Sequence, residues 1–323
     1  MPHIQEYQQL LEKRIQKLEL PKEPKNLYDP LRYFLTLGGK RTRPCLTMLG
    51  CHLFGAPGIK AVNAALAVEL FHNFTLIHDD IMDDAPLRRG KTTVHEKWDR
   101  DIAILSGDVL FVEAYSLLAK HDTVVLPKLL NVFTRTAREV CEGQQMDMDY
   151  ESMDNIKIDD YIEMIRLKTS VLLGAALEMG ALIGGAEDEK DIRSIYNFGV
   201  NVGLAFQMHD DILDLYADPE KFGKQVGGDI LSNKKTYLLL KAYEMADDNT
   251  KSKLDDMLMN QNGQEKVDNA KTIFEQLGVR QKAEEQKEIF YQKAILNMKE
   301  INVPEENKRE LLDLAKYLMS RDH

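Results

Sequence analysis

Cysteine is scarce in this chain: Cys45, Cys51 and Cys141 form no CxxC pair and are too few for a disulfide framework. A reducing, cytoplasmic setting follows, with the thiols serving as packing groups. Basic charge is also short, because 42 Lys and Arg stand against 53 Asp and Glu, a net charge of −11. That balance speaks against nucleic acid as a partner and leaves each basic residue at a motif to be explained on its own. No uninterrupted apolar run approaches the ~18 residues of a membrane span, so no transmembrane segment is expected. The start, MPHIQEYQQLLEKRIQKLEL, is amphipathic and lacks the basic region and apolar core of a signal peptide. No stretch alternates at period two with β-branched residues, which excludes a substantial sheet. No matched Glu-x-x-His pairs lie near the acidic motifs, which argues against a carboxylate-bridged di-iron bundle. No low-complexity linker divides the chain, so residues 1–323 read as a single domain.

What is present is helical periodicity. Ile4, Tyr7, Leu11, Ile15 and Leu18 recur at helical spacing over residues 3–19, and PKEP then breaks the pattern. Further helices are predicted over 26–37, from KRTRP onward, over 60–84, 101–119, 124–148, 159–183 and 188–216. More polar, amphipathic ones follow near 250–258, 265–275, 279–299 and 304–319. The fold class is therefore all-α, one large bundle of about a dozen helices. The acidic stretch 143–155 is expected to end the 124–148 helix. Residues 60–84 are apolar almost all round before turning acidic, which places that helix at the centre of a bundle. Gly174, Ala175, Ala176, Gly180 and Ala181 leave room for a close neighbour, helix or ligand.

HDDIMD at 78–83 recurs as HDDILD at 209–214. Asp79 and Asp83, at i and i+4, point the same way with Asp80 beside them, and Asp210, Asp214 and Asp211 repeat the geometry. Like charges at that spacing repel unless a cation sits between them, and two all-oxygen clusters suit Mg²⁺ or Mn²⁺ rather than zinc or copper. Mg²⁺ is usually completed by substrate phosphate, so a diphosphate is the expected partner. The two copies are useful only if they face one cavity. Lys168, Lys224 and Lys234 offer further countercharge. Lys40, Arg43, His72 and Arg89 form a second basic set and imply an anion that is not metal-bound. His72 and Thr75 lie on the stripe of Asp79 and Asp83, and Gln207 stands three residues before Asp210.

In order, GGKRTRP, HDDIMDDAPLRRG, KTS, FQMHDDILD, GKQVGGDI and NKKT resemble the signature of the trans-isoprenyl diphosphate synthases over roughly residues 35–240. The resemblance implies an isoprenoid synthase-type helical fold around a central cavity, usually as a homodimer. It also implies condensation of isopentenyl diphosphate with an allylic diphosphate (dimethylallyl, geranyl or farnesyl). By it, Asp79, Asp83 and Asp210 ligate Mg²⁺, three ions or their Mn²⁺ equivalents, with Asp80, Asp211 and Asp214 close by or acting through water. Lys40, Arg43, His72 and Arg89 hold isopentenyl diphosphate, while Arg88, Lys168, Lys224 and Lys234 hold the allylic diphosphate. Thr169 and Gln207 lie where the family stabilises the allylic cation and takes up the released proton. Phe74 stands five positions before Asp79, roughly 7.5 Å along the helix. An aromatic there beside a small Thr75 goes with short products in the family, so geranylgeranyl diphosphate is expected, with farnesyl diphosphate close behind. A terpene cyclase and a regulatory subunit of a heteromeric prenyltransferase are the rivals. The basic set for a second diphosphate counts against the first, and the completeness of both aspartate clusters against the second.

Overall fold

The computed structural model describes residues 2–217 and 226–320. They are almost wholly helical: α1 (Pro2–Gln16), α2 (Lys25–Thr36), α3 (Thr42–Leu53), α4 (Val62–Met82), α5 (Val94–Lys97), α6 (Arg100–Leu118), α7 (Leu126–Ser152), α8 (Ile158–Ile165), α9 (Val171–Gly184) and α10 (Glu189–Tyr216). After the undescribed residues come α11 (Gly228–Leu231), α12 (Tyr237–Met245), α13 (Asp248–Asn260), α14 (Gly263–Leu277), α15 (Val279–Glu300) and α16 (Glu305–Ser320). One difference from the all-helical expectation is a two-residue ladder, β1 (Leu87–Arg88) against β2 (Lys91–Thr92). Its turn residues Arg89 and Gly90 both have positive φ, 53° and 72°, the backbone that closes a two-residue hairpin in the sense of strand twist.

The chain divides into two compact units. The first comprises Met1–Phe133, Ala175–Arg193 and Val303–Leu311. Its centre is α4, whose Ala64, Leu66, Val68, Leu70, Phe71 and Ile77 are all buried, as an all-round apolar helix requires. α3 and α6 pack on it. Gly180 explains one of the small residues noted above: a Cβ there would lie 2.0 Å from the Thr47 carbonyl oxygen, so the close neighbour is the backbone of α3.

The second unit comprises Thr134–Gly174, Ser194–Asn302 and Leu312–His323. Its core gathers Met208, Ile212, Leu215, Leu239, Phe274 and Phe290. α7 ends within its acidic stretch as expected, at Ser152, one turn beyond residue 148. Lys235 Nζ donates to the carbonyls of Tyr150 (2.8 Å), Glu151 (3.4 Å) and Met153, and a cation at a helix C-terminus favours the extra turn. Between α8 and α9 the turn Arg166–Ser170 is π-helical. Its backbone lies against Gly143 of α7, where a Cβ would meet the Lys168 nitrogen at 2.2 Å. The span Ile158–Gly184 has enough length and apolar character to cross a membrane, yet 72% of its apolar window is buried in the protein, as in a core helix.

Candidate active site

The basic set of the first unit is built on an unusual turn. Gly38 and Gly39 have φ of 75° and 150°, and Arg41, the N-cap of α3, is left-handed at φ 48°. Arg89 Nη1 donates to the Gly38 carbonyl, and a Cβ on Gly39 would lie 2.9 Å from that guanidinium nitrogen, so a side chain there would displace the Arg89 head group. Arg43 Nη1 stands 3.2 Å from His72 Nε2. A guanidinium can only donate, so Nε2 accepts and the neutral ring carries its proton on Nδ1. Burial first, and then the charges of Arg43, Arg89, Arg88 and Arg41, push the His72 imidazole well below its ordinary range. Four cations bearing on one neutral histidine make a local positive potential suited to an anion. Lys40 is exposed beside them.

Of the first aspartate cluster, Asp80 is buried at 1% exposure, Asp79 is half-buried and Asp83 is exposed at the C-cap of α4. The hairpin brings Arg88 back onto Asp80: Nε lies 2.8 Å from both carboxylate oxygens and Nη2 2.7 Å from Oδ1. Burial raises the Asp80 carboxyl, and Arg88 opposes that rise. Arg88, expected above at the allylic diphosphate, is thus held by Asp80, one of the aspartates expected at the metal.

The second cluster has the same sequence and other surroundings. Asp211, 4% exposed, accepts from Tyr161 Oη at 2.5 Å and from Gln207 Nε2 at 3.2 Å, so Gln207 faces this aspartate one turn ahead. Burial and the charges of Asp229 and Asp210 push Asp211 up to about 8. Asp214 accepts the Asp229 backbone N–H at 3.1 Å, while its own carbonyl accepts from Gly227 at 2.6 Å. Burial and Asp229 raise Asp214 to about 6, an effect the Lys234 charge opposes. Asp229 and Tyr161 were not singled out as partners of these aspartates from the sequence. The glycine pair at 227–228 was the available signal.

Lys168, on the π-helical turn, pairs with Asp147 Oδ2 at 2.5 Å, and Thr169 beside it is half-buried. Asp147 belongs to the acidic stretch read above as a helix end, which hid its role. Lys224 lies outside the described residues. Phe74 is 9% exposed and stacks on Phe111 with centroids 5.0 Å apart and an interplanar angle of 12°. Phe71 (5.6 Å) and His78 (4.6 Å) complete its surroundings, and Thr75 Oγ1 donates to the His72 carbonyl at 2.8 Å. Phe111 escaped the sequence reading because its ring meets Phe74 from another helix.

Among the described residues no three His, Cys, Asp or Glu side chains are already gathered as a metal site. The donors still fit a hard divalent cation. All are carboxylates, and the burial and the Asp229 charge that raise Asp211 and Asp214 are what such a cation would offset. Carboxylates suited to a cation and an arginine cluster suited to an anion therefore both stand on an all-α scaffold.

Comparison with known proteins gives the family. A model of the polyprenyl synthetase family matches residues 24–277, and the chain belongs to that family. It is 36% identical over 323 residues to a geranylgeranyl pyrophosphate synthase of Geoglobus acetivorans, covering 99% of this chain and 98% of that one. A geranylgeranyl diphosphate synthase of Methanosarcina mazei is 44% identical over 223 residues, 68% of each chain. A solved structure of a geranylgeranyl pyrophosphate synthase superposes with a TM-score of 0.92 at 46% identity, covering 98% of both chains. The fold is accordingly the all-α fold of prenyl synthases.

Proposed function

We propose that this prenyltransferase condenses isopentenyl diphosphate with an allylic diphosphate and releases geranylgeranyl diphosphate, farnesyl diphosphate being the shorter alternative. The observation that carries the reading is the arginine cluster around neutral His72, a positive site suited to a second diphosphate. The names of the relatives support the product, as does Phe74 within its aromatic cluster. In this reading the whole chain works as one domain, in the cytoplasm, as a homodimer.

Lys40, Arg43, His72 and Arg89 bind isopentenyl diphosphate, with His72 offering Nδ1–H to a phosphate oxygen. Arg88, Lys168, Lys224 and Lys234 bind the allylic diphosphate. Asp79, Asp80, Asp83, Asp210, Asp211 and Asp214 would hold three Mg²⁺ or Mn²⁺ ions. When bound, these ions supply positive charge opposite the diphosphate as it leaves. Lys168 adds its ammonium to the same leaving group, which strengthens ionisation where charge develops. The carbon–oxygen bond of the allylic substrate breaks, its cationic carbon is attacked by the isopentenyl double bond, and the proton then lost passes to the released diphosphate. Thr169 and Gln207 turn their oxygens toward the cation. The apolar walls of α4 and α9 exclude the water that would quench it.

The test is incubation of the purified chain with Mg²⁺, isopentenyl diphosphate and each allylic starter in turn, with the products sized chromatographically. A twenty-carbon diphosphate that requires both isopentenyl diphosphate and the metal is expected. A hydrocarbon made from the allylic substrate alone would overturn the reading.

A further inference from the structure

The turn that carries Lys40 and Arg43 is fixed by a residue between them that faces away from solvent. Arg41 is 5% exposed and Glu69, on α4, is 3% exposed; the Nη1 to Oε1 distance is 2.5 Å. Arg41 Nε also meets Glu12 Oε2 at 3.1 Å, and Nη2 donates to the Leu35 carbonyl at 3.5 Å. Asn73 Nδ2 donates to the Glu69 carbonyl at 2.8 Å. A non-glycine residue at φ 48° persists only where its surroundings over-determine it, and these contacts do so. One residue earlier, Gln8 Nε2 donates to the Lys40 carbonyl at 2.8 Å.

Gln8 and Glu12 stand at i and i+4 of α1 and share a side of that helix. Beside it α1 buries Ile4, Tyr7, Leu11 and Ile15, which dock it in the first unit. α1 lies wholly before residue 24, where the family match begins, so nothing in that match assigns it a part in the reaction. We propose that α1 is a working part of the isopentenyl diphosphate site, with Gln8 and Glu12 as positioning residues. They hold the Lys40 carbonyl and the Arg41 guanidinium, and so set the turn that presents Lys40 and Arg43 to the phosphate. This rests on the assignment of Lys40 and Arg43 to isopentenyl diphosphate.

Charge and position make opposite predictions for Glu12, which is what makes the inference testable. Glu12→Ala removes a negative charge from beside a cationic site, so electrostatics alone would lower KM for isopentenyl diphosphate. Loss of positioning raises it instead, by about tenfold, the order expected for one hydrogen bond to a charged group. Gln8→Ala changes no charge and should raise the same KM about twofold. In both variants kcat and the KM for the allylic substrate should stay at wild-type values, and Glu12→Gln, which keeps an acceptor for Arg41, should restore most of the loss. Should Glu12→Ala fail to fold by circular dichroism, Gln8→Ala decides alone. An unchanged or lowered KM for isopentenyl diphosphate, or a parallel rise for both substrates, overturns the proposal. Arg43→Gln is measured alongside. If it too leaves that KM unmoved, the assignment of the basic set has failed, whereas if it raises it, only the role of α1 has.

Discussion

The two HDDIxD copies share their aspartates and differ in what surrounds them. At the first, the buried Asp80 is matched at rest by the guanidinium of Arg88, returned to it by a hairpin. At the second, the equivalent Asp211 is equally buried but meets neutral donors, Tyr161 and Gln207, and a further carboxylate, Asp229. At the first site burial still raises the Asp80 carboxyl, but the Arg88 charge opposes that rise. The second keeps a proton near neutral pH in the absence of a cation. One motif therefore sits in two electrostatic settings, one in which a guanidinium opposes the rise caused by burial and one in which a further carboxylate adds to it.

The largest effect should come from making the first site resemble the second. Arg88→Met leaves Asp80 buried without its cation, and breaking such a pair should cost about 3 kcal/mol of stability, read from urea titration. Because Arg88 is also proposed to meet the allylic diphosphate, kcat/KM for that substrate should fall about 10²-fold. An unchanged urea midpoint would mean that the pair does not keep Asp80 charged.

The next effect concerns pH. Asp211 and Asp214 are raised to about 8 and about 6 from the ordinary aspartate range near 4. A carboxyl whose folded pKa is raised favours the folded state while protonated. That contribution is full below pH ~4 and is lost as pH rises through 6 and then 8. Metal-free protein should therefore lose urea stability between pH 5 and 8, and Asp211→Asn should flatten most of that slope. Mg²⁺ takes the place of the protons, so the rise in melting temperature it gives should be larger at pH 8 than at pH 6. A metal-free stability that climbs over this range would contradict the contrast between the two copies.

The helices and both aspartate motifs were legible because they are short-range patterns. Periodicity places α10 and the four helices after α12 within a few residues of their observed ends, and the i, i+4 spacing shows in six letters. What was not legible depends on partners remote in the chain. Lys168 read as a lysine needing an anion, and the anion it has, Asp147, sat in a stretch that looked like a helix terminus. That helix runs one turn past residue 148, where Lys235, distant in sequence, donates to its last carbonyls. The π-helical turn follows from packing against Gly143, which no local propensity encodes. Arg88 shows the limit from the other side. Its presence was read as a substrate contact, whereas its geometry reveals a prior engagement with Asp80 that depends on the two positive-φ residues of the hairpin.

The smallest effect on rate concerns the helix faces just upstream of the two motifs. Five residues before Asp79 stands Phe74, and five before Asp210 stands Ala205. The second helix is built for close backbone contact: a Cβ on Gly203 would lie 2.8 Å from the Ser170 Cα, and one on Gly199 would lie 2.7 Å from the Gly174 Cα. The first is built of rings, with Phe74 against Phe71 and Phe111. The ringed face has side-chain volume that truncation can release, so by the proposed function it is the face at which product length should respond. Phe74→Ala should lengthen the product with little change in turnover, but only modestly, about one five-carbon unit (~6 Å of extended chain), because Phe111 stacks directly behind. Phe111→Ala added to Phe74→Ala should lengthen it further. Chromatography of radiolabelled products measures both. If the double variant keeps the parental length, the tail does not end at these rings, and the aromatic cluster is a packing feature of the first unit alone.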